Sequence, residues 1–132
     1  MRFMLILTLV LDLKTKSTDF SNAFAQADIE GDPVYISVPP RYPGFKAGTV
    51  LRLRKSLYGQ VDAPRMWYEK LKKGLIARGF KDSKADPCLF MSSKVICLSY
   101  VDDCLWFVKN PKDIDAVLQS FRDDEDKYNW EM

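Results

Sequence analysis

The amino-acid sequence predicts a single domain of the α+β class. Strand-like and helix-like segments are mixed along the chain, and they do not alternate in the regular way that builds a parallel sheet. Two apolar strand-like runs flank an acidic pair at residues 102–103, which is the pattern of a tight β-hairpin. The 132 residues are 47% hydrophobic and 13% aromatic. That composition supports one buried core, and the length is short for two domains.

The remaining elements follow from local patterns in chain order. The apolar run at 1–13 predicts a buried helix, or a helix that leads into a strand. It has no small-residue cleavage site and is shorter than the ~20 residues that span a bilayer, so we expect neither secretion nor membrane insertion. β-branched residues at 34–38 and alternating residues at 50–53 predict short strands. Asn110 and Pro111 are expected to begin a final helix.

The clearest predicted helix spans residues 62–80. Asp62 can cap its beginning, and Pro64 suits its first turn. A four-residue spacing produces an apolar stripe of Trp67, Leu71 and Leu75. The same spacing predicts a favourable ion pair between Glu69 and Lys73.

Composition narrows the classes of function. The net charge of +2 gives no general attraction for a polyanion, so a nucleic acid would have to bind a local basic patch. Histidine is absent, which removes the usual general base of Ser or Cys hydrolases and argues against structural zinc. The three cysteines, Cys88, Cys97 and Cys104, lie in apolar settings and are expected to be buried free thiols.

The acidic pair Asp102–Asp103 is the candidate for chemistry. Apolar residues flank it on both sides, and carboxylates beside an apolar hairpin are costly unless a cation or a donor meets them. A divalent ion such as Mg²⁺ would compensate them through hard oxygen ligands. An exposed acidic turn is the alternative, because Asp favours turns in any case. From the pattern alone, both interpretations stay open.

Five short segments occur in order between residues 17 and 108. They read STDFSNAF at 17–24, VYISVPPRYPGF at 34–45, LRLRKSLYGQVDAPRMWYEKL at 51–71, SKADPCLF at 83–90 and YVDD at 100–103. Each is similar to a sequence box of the reverse transcriptases of copia-type (Pseudoviridae) LTR retrotransposons. The chain is therefore identified as a member of that family. The resemblance implies that residues 1–132 are a partial palm domain, in which helices pack on an antiparallel sheet that carries the YVDD hairpin.

The resemblance also implies a catalytic site. Asp19, Asp102 and Asp103 would meet across two adjacent strands, with Asp19 and Asp102 binding two Mg²⁺ ions and Asp103 supporting the site. Mn²⁺ could substitute for Mg²⁺. These ions would serve nucleotidyl transfer from a nucleoside triphosphate to a primer end.

Further residues are implied to bind the substrates. Phe24 falls where the family places the steric gate beneath the sugar, although an ordinary core aromatic is an equal alternative. Tyr58 and Gly59 fall in a box near the incoming nucleotide, and residues 60–62 depart from the family pattern directly after it. The candidate nucleic-acid contacts are Arg52, Arg54, Lys55 and Tyr100. A second basic cluster, Lys70, Lys72, Lys73 and Arg78, is expected to be a solvated helix face.

The implied function is that of an RNA-directed DNA polymerase fragment of a retrotransposon Pol polyprotein. Its partners would be an RNA or DNA template-primer, a deoxynucleotide, and the fingers, RNase H and integrase of Pol, in cytoplasmic virus-like particles or the nucleus. No fingers or thumb segment is recognised in the 132 residues, so we expect little or no polymerase activity from this chain alone. A non-catalytic interaction module derived from a retroelement is the alternative, and a nuclease with convergent carboxylates is disfavoured by the SLYG and DPCLF boxes.

Overall fold

A computed structural model describes residues 2–123 and 130 of the chain. Four helices and seven strands are formed in this part. They are α1 Arg2–Val10, β1 Lys14–Asp19, α2 Ala23–Gln26, β2 Tyr35–Ser37, β3 Val50–Arg52, α3 Ala63–Ala77, β4 Lys81–Asp82, β5 Leu89–Met91, β6 Val95–Tyr100, β7 Asp103–Val108 and α4 Pro111–Arg122. The mixture of helices with antiparallel strands confirms the predicted α+β class.

Five strands form one antiparallel sheet in the order β1-β7-β6-β5-β4. The hairpin of β6 and β7 lies at its centre, as the apolar runs around residues 102–103 predict. The first strand of the chain, β1, pairs with β7 along its whole length, from Lys14 opposite Val108 to Asp19 opposite Asp103. β2 and β3 form a separate two-stranded ribbon. The sheet order therefore brings the end of β1 to the hairpin turn, although more than eighty residues separate them.

The core lies between the sheet and the helices α3 and α4. Alternate residues of β6 and β7 point toward these helices, and the apolar faces of the helices close over them. The largest fully buried side chains are Trp67, Trp106, Phe20, Phe90, Phe107 and Phe121. Burying each of them contributes about 1.5–3 kcal/mol through the loss of apolar surface from water.

The cysteines are free thiols, as the sequence predicts. Cys97 and Cys104 are completely buried, whereas Cys88 is half-buried. Burial raises the pKa of the Cys97 thiol well above its usual value and also raises the pKa of Cys88. Thiols that stay protonated are poor nucleophiles, so these residues serve packing rather than chemistry.

Helix α3 differs from its prediction in three details. It ends at Ala77 rather than at residue 80, because Arg78 is its C-cap and Gly79 follows with φ +81°. Asp62 is the N-cap residue but makes no side-chain capping hydrogen bond. The predicted Glu69–Lys73 pair is wrong: Lys73 Nζ instead lies 3.1 Å from Glu30 Oε1, a tertiary contact that competes with the weak pair along the helix.

Helix α1 leads into a strand, as one of the two predictions stated, but it is not buried. Met4 is its only buried residue, while Ile6 is 61% exposed and Leu9 is 83% exposed. No helix in the described part of the chain is long and apolar enough to cross a membrane.

Candidate active site at the β6–β7 hairpin

The candidate catalytic aspartates lie on the paired strands β1 and β7 and in the turn between β6 and β7. Asp19 ends β1 and Asp103 begins β7, and the two residues are directly opposite each other in the antiparallel register. Opposite residues project to the same face of a sheet, with Cβ atoms about 4.5–5.5 Å apart. Asp102 occupies the turn just before β7, and its carbonyl oxygen accepts a hydrogen bond of 3.0 Å from the Phe20 amide. The structure therefore sets Asp19 directly opposite Asp103 and places Asp102 in the adjoining turn, but it does not arrange the three described carboxylates around one ion position.

The surroundings of these carboxylates lack a compensating cation. Within residues 2–123 and 130, none of the three side chains makes an ion pair or a hydrogen bond. Elsewhere in the chain, Asp28 and Asp82 each meet a lysine, at 2.6 and 2.7 Å respectively. Like charges on directly opposite strand residues are unfavourable, so a cation bound between Asp19 and Asp103 would stabilise this pair.

The donor chemistry of the site fits Mg²⁺ or Mn²⁺. Carboxylate oxygens are hard ligands, and Mg²⁺ in proteins commonly uses one or two carboxylates while the remaining ligands are water and phosphate. Asp19 and Asp103 are exposed and Asp102 is half-buried, so such additional ligands can reach them. No group of three or more acidic, cysteine or histidine side chains among the described residues is already arranged around a single ion position. A metal at this position would therefore need further ligands from water or from a bound molecule.

The turn itself is strained. Tyr100 pairs with Asp103, so the hairpin closes with two residues, Val101 and Asp102. Val101 has φ +57°, a left-handed conformation that costs a β-branched residue roughly 1–3 kcal/mol. The Val101 carbonyl accepts a 2.6 Å hydrogen bond from the indole Nε1 of Trp67 on α3. The four-residue spacing places Trp67 only in an apolar stripe, because helical spacing identifies a buried face but not the partner of a buried N–H.

Two of the candidate nucleotide residues, Phe24 and Tyr58, are in contact with each other. Phe24 lies in α2, five positions after Asp19, and its ring centroid is 4.6 Å from that of Tyr58. Phe24 packs against the core, whereas Tyr58 is 58% exposed. Gly59 has φ +94°, which lets the backbone turn directly after Tyr58. In the same loop the side chain of Gln60 accepts a hydrogen bond of 2.8 Å from the Leu57 amide.

The candidate nucleic-acid residues divide into two groups. Arg52 and Arg54 line a cleft of about 540 Å³ beside Asp28. Lys55 is engaged by the protein itself, since its Nζ lies 2.6 Å from Asp28 Oδ1 and 3.2 Å from the Gln26 carbonyl oxygen. Tyr100, at the end of β6, is 75% exposed beside the turn. The arginines and Tyr100 are therefore accessible to a polyanion, while Lys55 would first have to leave an ion pair.

The basic cluster on α3 is not a uniformly solvated face. Lys70 is only 8% exposed, and its Nζ donates to the Gln26 carbonyl oxygen at 2.8 Å. Lys72 and Lys73 each form an ion pair with a carboxylate outside the helix, with Asp82 and Glu30 respectively. Arg78 stacks on Phe121 of α4, with its guanidinium carbon 3.8 Å from the ring centroid. These cations connect α3 to the rest of the fold.

A cavity that the sequence did not predict lies next to the aspartates. It has a volume of about 660 Å³, and its lining includes Ser17, Leu98, Leu105 and Asp103. Leu98 and Leu105 are opposite each other in the central hairpin. Leu98 alternates with the core-facing residues Cys97 and Ser99, so the cavity lies on the sheet face away from the helices.

The family of the chain follows from comparison with known proteins. A sequence model described as reverse transcriptase (RNA-dependent DNA polymerase) matches residues 1–128. The chain therefore belongs to the reverse transcriptase family.

Its relatives are retrotransposon polyproteins, which confirms the copia-type resemblance. The Retrovirus-related Pol polyprotein from transposon RE1 of Arabidopsis thaliana is 42% identical over 98 residues, which cover 68% of this chain and 6% of that protein. The Pol polyprotein from transposon TNT 1-94 of Nicotiana tabacum is 34% identical, with coverage of 79% and 8%. The Transposon Ty1-DR4 Gag-Pol polyprotein of Saccharomyces cerevisiae is 33% identical, with coverage of 79% and 6%.

The chain thus spans less than a tenth of the length of these curated relatives. No solved structure matches it.

Proposed function

We propose that this chain is the palm segment of an RNA-directed DNA polymerase and that it carries the nucleotidyl-transfer site. The observation that supports this most strongly is the register of β1 and β7, which sets Asp19 opposite Asp103 and beside the turn residue Asp102. Two of the three aspartates lie opposite each other and the third lies in the adjoining turn, and none of them makes an ion pair in the described chain. Such an arrangement suits a reaction in which charge develops on phosphate and hydroxyl oxygens.

In this proposal the three aspartates have different roles in binding divalent ions. Asp19 and Asp102 provide the carboxylates that bind two Mg²⁺ ions, and Asp103 supports them from the first position of β7. When bound, the ions would neutralise the attacking primer hydroxyl and the leaving pyrophosphate. The rigid strand pair fixes where the carboxylates project, so the residues orient the reactants before the transfer.

Phe24 and Tyr58 form the proposed nucleotide contact. Their rings are in contact, and Phe24 follows Asp19 by five positions in the chain. A partly buried Phe24 supported by Tyr58 could pack beneath the sugar and exclude a 2′-hydroxyl by steric contact. The left-handed Gly59 holds the Tyr58 loop in the required shape.

Arg52, Arg54 and Tyr100 are the proposed contacts for the template-primer. The two arginines share one cleft, where they can contact backbone phosphates, and the exposed Tyr100 can stack on a base near the turn. Lys55 could also contact a phosphate if its ion pair with Asp28 were replaced by one with the phosphate. In the complete polyprotein, fingers, RNase H and integrase would accompany this segment, in a cytoplasmic particle or in the nucleus.

A metal titration tests the proposed site. We expect wild-type protein to bind Mn²⁺, detected by electron paramagnetic resonance, and Asp19→Asn or Asp102→Asn to weaken binding on the order of tenfold, because each substitution removes a charged ligand.

The matched control is Asp32→Asn, which neutralises an exposed aspartate in a turn between α2 and β2. It should bind Mn²⁺ as the wild type does. Equal affinity in all four proteins would contradict the proposed site.

A further inference from the structure

We propose that Trp67 is a positioning residue of the candidate active site. Its indole N–H holds the strained Val101–Asp102 turn, and this contact fixes the direction in which the Asp102 carboxylate projects. The effect of Trp67 on metal affinity rests on the proposed function. Its stabilisation of the turn does not depend on a metal and can be tested in the metal-free protein.

The turn needs stabilising contacts from outside the hairpin because the backbone of its first residue, Val101, is strained. Val101 has φ +57°, where glycine or asparagine is common and a β-branched side chain is an outlier. A free hairpin with this sequence would relax toward another turn. A relaxed turn would rotate Asp102 relative to Asp19, which belongs to the neighbouring strand. The observed turn must therefore be imposed by contacts from outside the hairpin.

Trp67 supplies the shortest of these contacts. Its Nε1 donates to the Val101 carbonyl oxygen at 2.6 Å, and its side chain is only 1% exposed. A buried indole N–H that lost this acceptor would have no access to water in its place, so the bond is costly to break. α3 is anchored in the core by Leu71 and Leu75, which are completely or almost completely buried. The turn is thus tied to the most firmly packed helix of the molecule.

Phe20, the residue directly after β1, also stabilises the turn. Its backbone amide donates to the Asp102 carbonyl oxygen at 3.0 Å, and its ring packs edge-on against Trp67 with centroids 5.4 Å apart. One pair of touching aromatic residues therefore binds both carbonyls of the two-residue turn. Phe20 directly follows Asp19, so the same contact joins the Asp19 and Asp102 sides of the site.

Amide hydrogen exchange in the metal-free protein tests this hold. Trp67→Phe keeps an aromatic ring and removes the N–H. We expect the Phe20 amide, which is bonded to the turn, to exchange about two- to tenfold faster relative to core sheet amides such as Cys97.

Trp106→Phe is the matched control. Trp106 is also fully buried and also donates one indole bond, at 2.8 Å to Thr18 Oγ1, but it does not touch the turn. In Trp106→Phe, the exchange rates of the Phe20 amide and of the core amides should change by the same factor. If Trp67→Phe also changes both rates by the same factor, the proposal is wrong.

A Mn²⁺ titration separates this inference from the proposed function. We expect Trp67→Phe to bind Mn²⁺ several-fold more weakly than wild type and Trp106→Phe to bind it equally. If wild type itself does not bind Mn²⁺, the proposed function fails, while the exchange result still decides the role of Trp67. If wild type binds and Trp67→Phe binds equally, the positioning role fails and the metal site stands.

A second variant covers the case in which Trp67→Phe does not fold. Val101→Gly removes the steric conflict at positive φ, so the turn should no longer require the indole bond. The double variant Trp67→Phe/Val101→Gly is then expected to fold, with Phe20 protection restored. Unfolding of the double variant to the same extent would mean that Trp67 supports the core in general, and the proposal would be wrong.

Discussion

At the scale of single residues, the site depends on contacts that local sequence patterns do not reveal. Asp102 can be recognised as unusual from its apolar flanks, but the partners of its turn come from Trp67 and Phe20, which are distant in sequence. Phe24 had two equal interpretations from the sequence. The structure places its ring against Tyr58 and also against the core, so packing and substrate contact are compatible roles.

Gly74 provides a test of packing at the residue scale. A Cβ at this position would lie 2.8 Å from the Cη2 atom of Trp130 and 3.4 Å from Cε1 of Phe121. The overpacking should cost roughly 1–3 kcal/mol, and after the gain in helix propensity of about 1 kcal/mol we expect Gly74→Ala to destabilise the protein by up to about 2 kcal/mol. Urea unfolding measures the change.

The double-mutant cycle with Trp130→Leu is the control for Gly74→Ala. Leucine leaves room for the added methyl group, so the cost of Gly74→Ala should shrink in that background. An unchanged cost would show that the contact with Trp130 is not its cause.

At the scale of elements, the pairing of β1 with β7 determines where Asp19 lies relative to Asp103. A slip by one residue would turn Asp19 to the opposite sheet face, away from Asp103. The 2.8 Å bond from Trp106 Nε1 to Thr18 Oγ1 forms in this register because both side chains lie on the core-facing side of the sheet. The positions of Asp19 and Asp103 are set by the backbone pairing of β1 with β7 along its whole length.

The sequence predicted α1 from its apolar run, α3 and α4 from their helical spacing, and the central hairpin from two apolar strand-like runs, but it did not predict α2. It did not predict β1 as a strand from its pattern. Lys14–Asp19 is a polar edge strand, and five of its six residues are exposed, so alternation is missing. Only the family resemblance identified Asp19 before the structure was known. The burial of Lys70 was also missed, because its partner is a backbone carbonyl of Gln26, forty-four positions away.

The ion pair of Lys72 with Asp82 connects α3 to β4 and gives a pH-dependent prediction. The hydrogen bond from Lys72 holds the pKa of the Asp82 carboxyl below its usual value. The pair therefore stabilises the fold above the usual Asp pKa of about 3.9, and this contribution is lost as pH falls through the lower folded pKa.

Asp82→Asn should remove that part of the acid dependence. Thermal unfolding between pH 6 and pH 2 should show a shallower loss of Tm in the variant than in wild type, with a small difference because both side chains are partly solvated. Lys72→Gln should behave like Asp82→Asn. Parallel curves for all three proteins would contradict the assignment.

At the scale of the whole molecule, the described chain has one well-packed side and one open side. The helices α3 and α4 cover one sheet face, while the other face carries the aspartates and the apolar cavity around Leu98 and Leu105. Large apolar side chains of α1 are also exposed, and patches of this kind favour association with other surfaces. The closed side supports the central hairpin, and the open side leaves Asp19 and Asp103 of the proposed site exposed.

The central claim is that folding brings the aspartates of β1 and the hairpin turn around shared divalent cations. Anomalous diffraction from crystals soaked in Mn²⁺ tests it most directly. The account predicts anomalous peaks within ligand distance of carboxylate oxygens from Asp19 and from Asp102 or Asp103, and their disappearance in crystals of Asp19→Asn. Well-ordered Mn²⁺ bound only at other positions, or an unchanged peak in the Asp19→Asn crystals, would contradict it.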